Sequence, residues 1–230
     1  VEITKDMDYF PLLNKKSGKS VLVSVYSPKT KKHWDEVVKP ISRGAQNDLL
    51  YKRWIKRNAH LVDSLSNGRL GYVHIKSMGD ASYRDVYADI LGKYNLREGI
   101  VIDTRFNGGG RLHEDIEILF SGEKYLEQVI RDNVACVMPS RRYVKPSIMV
   151  IGEANYSNAH GTPWVYKHKN MGKLVGMPVP GTMSSVTWET LQDNTLYFGL
   201  PVIGYRTEEG NYLENSQLEP DVKVKNTPEK

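Results

Sequence analysis

Apolar positions fall in two rhythms along this chain. In "DLLYKRWIKRNAHLVDSLS", residues 48–66, Leu50, Trp54, Leu61 and Leu65 recur at helical spacing with basic residues between them. Asn67-Gly68 then closes the predicted helix as a C-cap. The second rhythm is the short apolar run bounded by turn residues. It predicts strands at Ser20–Tyr26, near Trp34–Ile41, and at Leu70–Ile75, Ile100–Asp103, Ser147–Ile151 and Lys173–Val175. Between them, "SYRDVYADILGKY", "LHEDIEILF" and Ser157–His168 predict helices. From Leu191 on, strands are expected to dominate, in "TLYFGLPVIGYRT" and "NYLENSQLEPDVKV", and the tail "KNTPEK" reads as disordered. Strands alternating with helices, then a strand-rich end, argue for α/β layers around a mostly parallel sheet. The first 42 residues hold a short amphipathic segment, "DYFPLLNKKSG", and two strands, too little to bury a core alone. They read as the tail end of a small β domain.

Length and composition narrow this picture. A chain of 230 residues suggests one large domain, or one domain plus a fragment. Its 40% hydrophobic and 26% charged residues are ordinary for a soluble globular protein. The net charge of +5 is spread along the chain, and Lys15-Lys16 and Lys29-Thr-Lys-Lys32 read as solvated loops, not as a nucleic-acid footprint. Cys136 is alone, which excludes an internal disulfide and a cysteine metal site. No histidine pair has zinc spacing with a third ligand, so neither metal nor cofactor is expected. No apolar run is long enough for a membrane span. There is no signal-peptide pattern, and the start at Val1 points to a piece of a longer protein.

Two strand-to-helix turns can carry chemistry. Gly108-Gly109-Gly110 follows the strand ending at Asp103 and precedes a helix. Three glycines permit close backbone approach, and N–H groups at a helix start point outward; the plain alternative is a tight turn. A phosphate loop is disfavoured because no "GK[ST]" follows. Ser157 stands in the same setting, where many hydrolases keep a nucleophile; by itself it fits a helix N-cap better. Two such turns from neighbouring parallel strands would lie side by side at the carboxyl edge of the sheet, as an acyl-transfer site requires. His160, three residues after Ser157, shares its helix face but has little freedom to reach back as a base. His74 lies within a strand pattern and reads as structural, His113 as a surface helix residue, and Glu214 as a solvated turn acid.

Five separated segments occur in order: "YKRWIKRNAHLVDSLSNGRLGYVHIKSMG", "IVIDTRFNGGG", "NYSNAHG", "GKLVG" and "YLENSQLEPDVKV". Together they resemble the tricorn-type branch of the tail-specific, or S41, serine peptidases, over about residues 8–226. The resemblance implies a crotonase- and ClpP-like spiral α/β core at 46–230, preceded at 1–45 by the C-terminal fragment of a PDZ-like domain. It maps a Ser nucleophile onto Ser157, the oxyanion hole onto the backbone N–H of Gly109 or Gly110 and of Asn158, and the acid of a Ser-His-Ser-Glu tetrad onto Glu214. The general-base His and second Ser of that pattern belong to a first core subdomain upstream, so this chain is expected to lack them and to be inactive alone. Implied partners are an oligopeptide substrate, upstream domains of the same polypeptide and further copies in a homo-oligomer. The implied compartment is the cytoplasm, with the periplasm as alternative. This chain departs from the family pattern at Asn158, where the family has Asp, and in "GMPVPGTMSS", which replaces Arg-Thr-Trp-Gly-Gly; no Lys occupies Met177–Pro180 to serve a Ser–Lys mechanism. The departures keep open a non-catalytic peptide-binding homologue. A crotonase-like acyl-CoA enzyme would need a nucleotide motif that is not seen.

Overall fold

The computed structural model describes residues 2–225, and the chain divides into two units, one ending at Arg57 and the other beginning at Asn58. In the first unit the amphipathic segment is a single 3-10 turn, Phe10–Leu13, with Pro11 in its first positions. Strands β1 (Val21–Ser27) and β2 (Lys32–Val38) follow as an antiparallel hairpin. Helix α1 (Arg43–Leu65) starts here and runs on into the second unit.

The second unit continues through β3 (Leu70–His74), α2 (Asp80–Ala88), a π turn at Asp89–Lys93, β4 (Gly99–Asp103) and α3 (His113–Phe120). A hairpin of β5 (Leu126–Ile130) and β6 (Asn133–Met138) precedes β7 (Ser147–Ile151), α4 (Asn158–His168) and β8 (Gly172–Gly176). A second hairpin, β9 (Ser185–Thr190) and β10 (Tyr197–Ile203), comes before the short β11 (Val222–Lys223). Three of these strands, β5, β6 and β9, have no counterpart in the sequence pattern, because most of their side chains are exposed, with Cys136, Val137 and Met138 half-buried, and carry no inside–outside alternation. Conversely, "YLENSQLEP" is no strand. It is a loop held by isolated bridges such as Val179 with Leu218, and its polar groups are spent on neighbouring loops. The segment "KNTPEK" lies outside the described residues apart from its first position.

The central sheet is parallel throughout, in the order β3, β4, β7, β8, β11. Each new strand adds on the same side of the last. With right-handed crossovers, an order that never doubles back puts all the crossover helices on one face. The register agrees. Ile100 and Ile102 of β4, Met149 and Ile151 of β7, and Leu174 of β8 point to one side and join Ile116 and Leu119 of α3 and Tyr166 of α4 in the core. On the other side, Tyr72 and Asp103 are covered near the end of α1, where Asn58 Nδ2 lies 3.4 Å from the Tyr72 hydroxyl. Farther along that face Ile148 is exposed and Val150 and Val175 are half-buried.

Gly71 and Gly172 are among the steric requirements of this sheet. At Gly71 a Cβ would stand 2.6 Å from the Tyr94 ring, and at Gly172 it would stand 2.2 Å from the Tyr166 hydroxyl. Gly71→Val therefore forces Tyr94 out of the core. Overpacking of this kind costs about 1–3 kcal/mol. Gly92 has nothing within 4 Å of its would-be Cβ, so Gly92→Ala should stay within about 0.5 kcal/mol of the parent. Urea unfolding midpoints of the two variants check the contrast; equal midpoints would contradict it.

Candidate active site

Because β4 and β7 are neighbours, the turns that follow them emerge together at the carboxyl edge of the sheet. Asn107 ties the two. Its backbone carbonyl accepts the N–H of Tyr156 (3.0 Å), its Oδ1 accepts the N–H of Gly109 (2.8 Å), and its Nδ2 donates to the Ile75 carbonyl at the end of β3 (2.8 Å). From the other turn, buried Asn155 donates to Thr104 Oγ1 (2.8 Å) and to the Ala159 carbonyl (3.2 Å). Below them, fully buried Asp103 accepts from Tyr72 (2.7 Å) and Arg105 (2.6 Å), which fixes the end of β4 from the opposite face.

Ser157 immediately precedes α4 with φ 57° and ψ −124°. This is a conformation that non-glycine residues adopt only when their surroundings enforce it. The side chain makes no capping hydrogen bond, so the N-cap alternative lacks the interaction that would define it. The N–H of Ser157 donates to Thr182 Oγ1 (3.2 Å), and its carbonyl accepts the N–H of His160 (2.7 Å).

Gly109 meets this turn directly. At φ 95°, a Cβ there would lie 2.7 Å from Ser157 Cβ and 3.2 Å from Asn158 N. Since Asn107 already takes the N–H of Gly109, that glycine serves close approach rather than donation. Gly110 is different. Met78 donates to the Gly109 carbonyl (2.9 Å) and accepts from the N–H of Arg111 (2.7 Å). Such a parallel bridge turns the N–H of Gly110 away from Met78. Neither that group nor the N–H of Asn158 has a backbone acceptor among the described residues. Ser157 and the N–H of Asn158 thus lie against Gly109, with Gly110 the next residue along.

Glu214 does not touch Ser157. Its Oε2 accepts the N–H groups of Met183 (2.8 Å) and Ser184 (2.7 Å). The next residue back, Thr182, is the one that holds the N–H of Ser157. The loop Gly181–Ser184 is therefore strapped to the 213–216 segment at one end and to the Ser157 turn at the other. Desolvation pushes the Glu214 carboxyl up, but the hydrogen bonds from Ser184 and Met183 and the nearby His160 outweigh it and hold the carboxyl below its ordinary value.

No histidine ring hydrogen-bonds the Ser157 hydroxyl among the described residues. His160 is fully buried and neither ring nitrogen has a partner. Desolvation keeps its basicity below the ordinary value, with Glu214 offsetting part of the effect. His74 lies on the opposite face with its Nδ1 4.0 Å from Asp103 Oδ1, and His113 bonds Asn158 instead. Asn107, Asn155, Thr182 and His113 were not singled out from sequence as working parts. Only Asn107 carried a readable signal, an Asn before glycines being a natural side-chain-to-backbone turn. Among the described residues no group of histidine, cysteine or carboxylate side chains is arranged to hold a metal ion, and no helix is long and apolar enough to cross a membrane.

Residues 69–224 match the sequence profile of peptidase family S41. The chain is 26% identical over 238 aligned residues to the tricorn protease of Thermoplasma volcanium, covering all of this chain and 22% of that protein. It is 25% identical over 191 residues to a tricorn protease homolog of Saccharolobus solfataricus, covering 79% of this chain and 17% of the relative. The fold matches the crystal structure of the tricorn protease with a TM-score of 0.79 at 22% identity, over 93% of this chain and 21% of that one. The chain thus spans about a fifth of the length of the curated relatives it matches.

The Glu214 strap has a definite pH dependence. A carboxyl whose pKa is depressed by folding contributes stability that is complete above its unfolded value and is lost as pH falls through the folded value. The Met183 and Ser184 amide protons should therefore lose their carboxylate bonds only below the ordinary carboxylate range. Following both amide resonances during acid titration checks this. Loss of the bonds at or above the ordinary value would show that the strap contributes nothing to folding.

Proposed function

Since the chain belongs to peptidase family S41, we propose that it is the nucleophile-bearing part of a tricorn-type serine peptidase acting on oligopeptides. Ser157 attacks the scissile carbonyl. The N–H groups of Gly110 and Asn158 receive the developing oxyanion, and Gly109 supplies the close approach that brings them together. Glu214 positions the nucleophile turn through Met183, Ser184 and Thr182, and takes no proton from Ser157. The observation that carries this reading is the strained turn at Ser157, held against Gly109, with the N–H groups of Gly110 and Asn158 lacking backbone acceptors among the described residues.

The general base comes from outside this chain. Support lies in the Ser157 hydroxyl, which no histidine ring hydrogen-bonds among the described residues, and in the burial of His160. A serine hydroxyl without a positioned base is a poor nucleophile near neutral pH. The β1–β2 hairpin and the turn before it fit part of a PDZ-like domain. Exposed apolar side chains on both hairpins of the second unit, among them Val129, Ile130, Trp188 and Tyr197, fit burial against the remaining domains or further copies of the protein.

The purified 230-residue chain should fold and leave peptides uncleaved. Loss of the base in related chemistry costs about a million-fold in turnover. In the complete enzyme a fluorophosphonate should label Ser157, and Ser157→Ala should abolish both labelling and cleavage. Absence of labelling in the complete enzyme would overturn the peptidase reading. Cleavage by the isolated chain that Ser157→Ala removes would overturn the external base.

A further inference from the structure

The side chain of Asn158 performs a task separate from its backbone N–H. Its Oδ1 accepts the N–H groups of both Leu112 (2.8 Å) and His113 (3.1 Å), the free donors at the start of α3. Its amide nitrogen lies 2.7 Å from Nδ1 of His113. The two backbone donors fix which end of the amide is oxygen, because the reverse orientation would set N–H against N–H twice. The amide nitrogen therefore faces the ring. An amide nitrogen only donates, so Nδ1 of His113 must accept. The neutral ring then carries its proton on Nε2.

We infer that His113, as the neutral Nε2–H tautomer, is a positioning residue for the oxyanion hole. Asn158 supplies one donor of that hole. The other, Gly110, lies two residues before Leu112 on the turn that Asn158 pins. The His113–Asn158 bond thus sets the spacing of the two donors. Protonating His113 places an N–H on Nδ1 against the Asn158 amide. One of the two bonds must then break and the spacing relaxes. From α4 the ring faces the Asn158 amide. From the segment after β10 it faces the ring of Tyr205, edge-on at 6.2 Å, whose hydroxyl lies 3.2 Å from Ser185 Oγ. On its own helix the carboxylates are Glu114, Asp115 and Glu117, and His113 takes part in none of the ion pairs among the described residues. The inference rests on the catalytic reading for its purpose and on the hydrogen-bond pattern for its substance.

The arrangement also gives the family's Asp a different meaning. A carboxylate at 158 has no N–H to give, so it could meet Nδ1 of His113 only as an acceptor and would call for the opposite tautomer.

The test is nitrogen-resolved NMR of the chain together with labelling of the complete enzyme. At neutral pH, His113 should show the Nε2–H tautomer. On acidification the amide resonances of Gly110 and Asn158 should move with the His113 titration. They should hold still in His113→Gln, whose Oε1 can accept the same bond. In the complete enzyme His113→Leu should slow fluorophosphonate labelling of Ser157 at least about tenfold, since ~1 Å of misplacement in a catalytic site costs up to about a hundredfold, and His113→Gln should recover most of the rate. An Nδ1–H tautomer, or Gly110 and Asn158 amides indifferent to His113 titration, overturns the inference whatever Ser157 does. If the amides follow His113 but Ser157 never labels, the bracket stands and the peptidase reading falls.

Discussion

No side chain fits at position 109. A Cβ there would press on Ser157 Cβ and on the Tyr156 carbonyl, 2.7 and 2.8 Å away. That intolerance is what brings two turns from neighbouring strands into contact, and the remainder of the site is arranged around it. Parallel pairing of β4 with β7 delivers the turns to one edge. Asn107 and Asn155 cross-link them, and the Asn158 side chain pins the helix that follows the first. Ser157 is held at φ 57°, a strain of order 1–3 kcal/mol, because its neighbours on both sides are already tied down.

The polar side chains around Ser157 are spent on backbone positions and not on its hydroxyl. Glu214 binds amides of the 181–184 loop, Thr182 binds the N–H of Ser157, and Asn107 occupies the N–H of Gly109. Among the described residues, the Ser157 hydroxyl and the N–H groups of Gly110 and Asn158 are left without such partners. Preorganised donors of this kind are usually the largest single contribution to acyl-transfer catalysis. In the proposed reaction they would complement a base that takes the proton from Ser157. His160 is close in sequence, but it is buried and its ring makes no hydrogen bond to the Ser157 hydroxyl among the described residues.

The parallel core was legible because its strands alternate with amphipathic helices and are buried on the helix-bearing face. Ser157 and Gly108–Gly110 were legible as turn residues in matching strand-to-helix settings. The choice of Gly110 over Gly109 was not, since it depends on where the side chain of Asn107 ends up. Thr182 and His113 were invisible for the same reason. Their partners lie 25 and 45 residues away along the chain, and no local pattern records such a contact. Strands β5, β6 and β9 were not legible because most of their side chains are exposed, which removes the alternation by which a half-buried strand is recognised. Helix α1 was recognised, but its start at Arg43 came several residues before the first apolar position of the pattern.

The most direct test of the account is a crystal structure of the complete enzyme with Ser157 trapped by a peptidyl phosphonate. The tetrahedral adduct places an oxygen where the oxyanion would form. The account predicts that oxygen within hydrogen-bond distance of the backbone nitrogens of both Gly110 and Asn158, about 2.7–3.1 Å. It also predicts the Gly109 N–H still on Asn107, and an imidazole from outside residues 1–230 against the Ser157 oxygen. An adduct oxygen pointing into solvent, or held by side chains in place of these two amides, would contradict it.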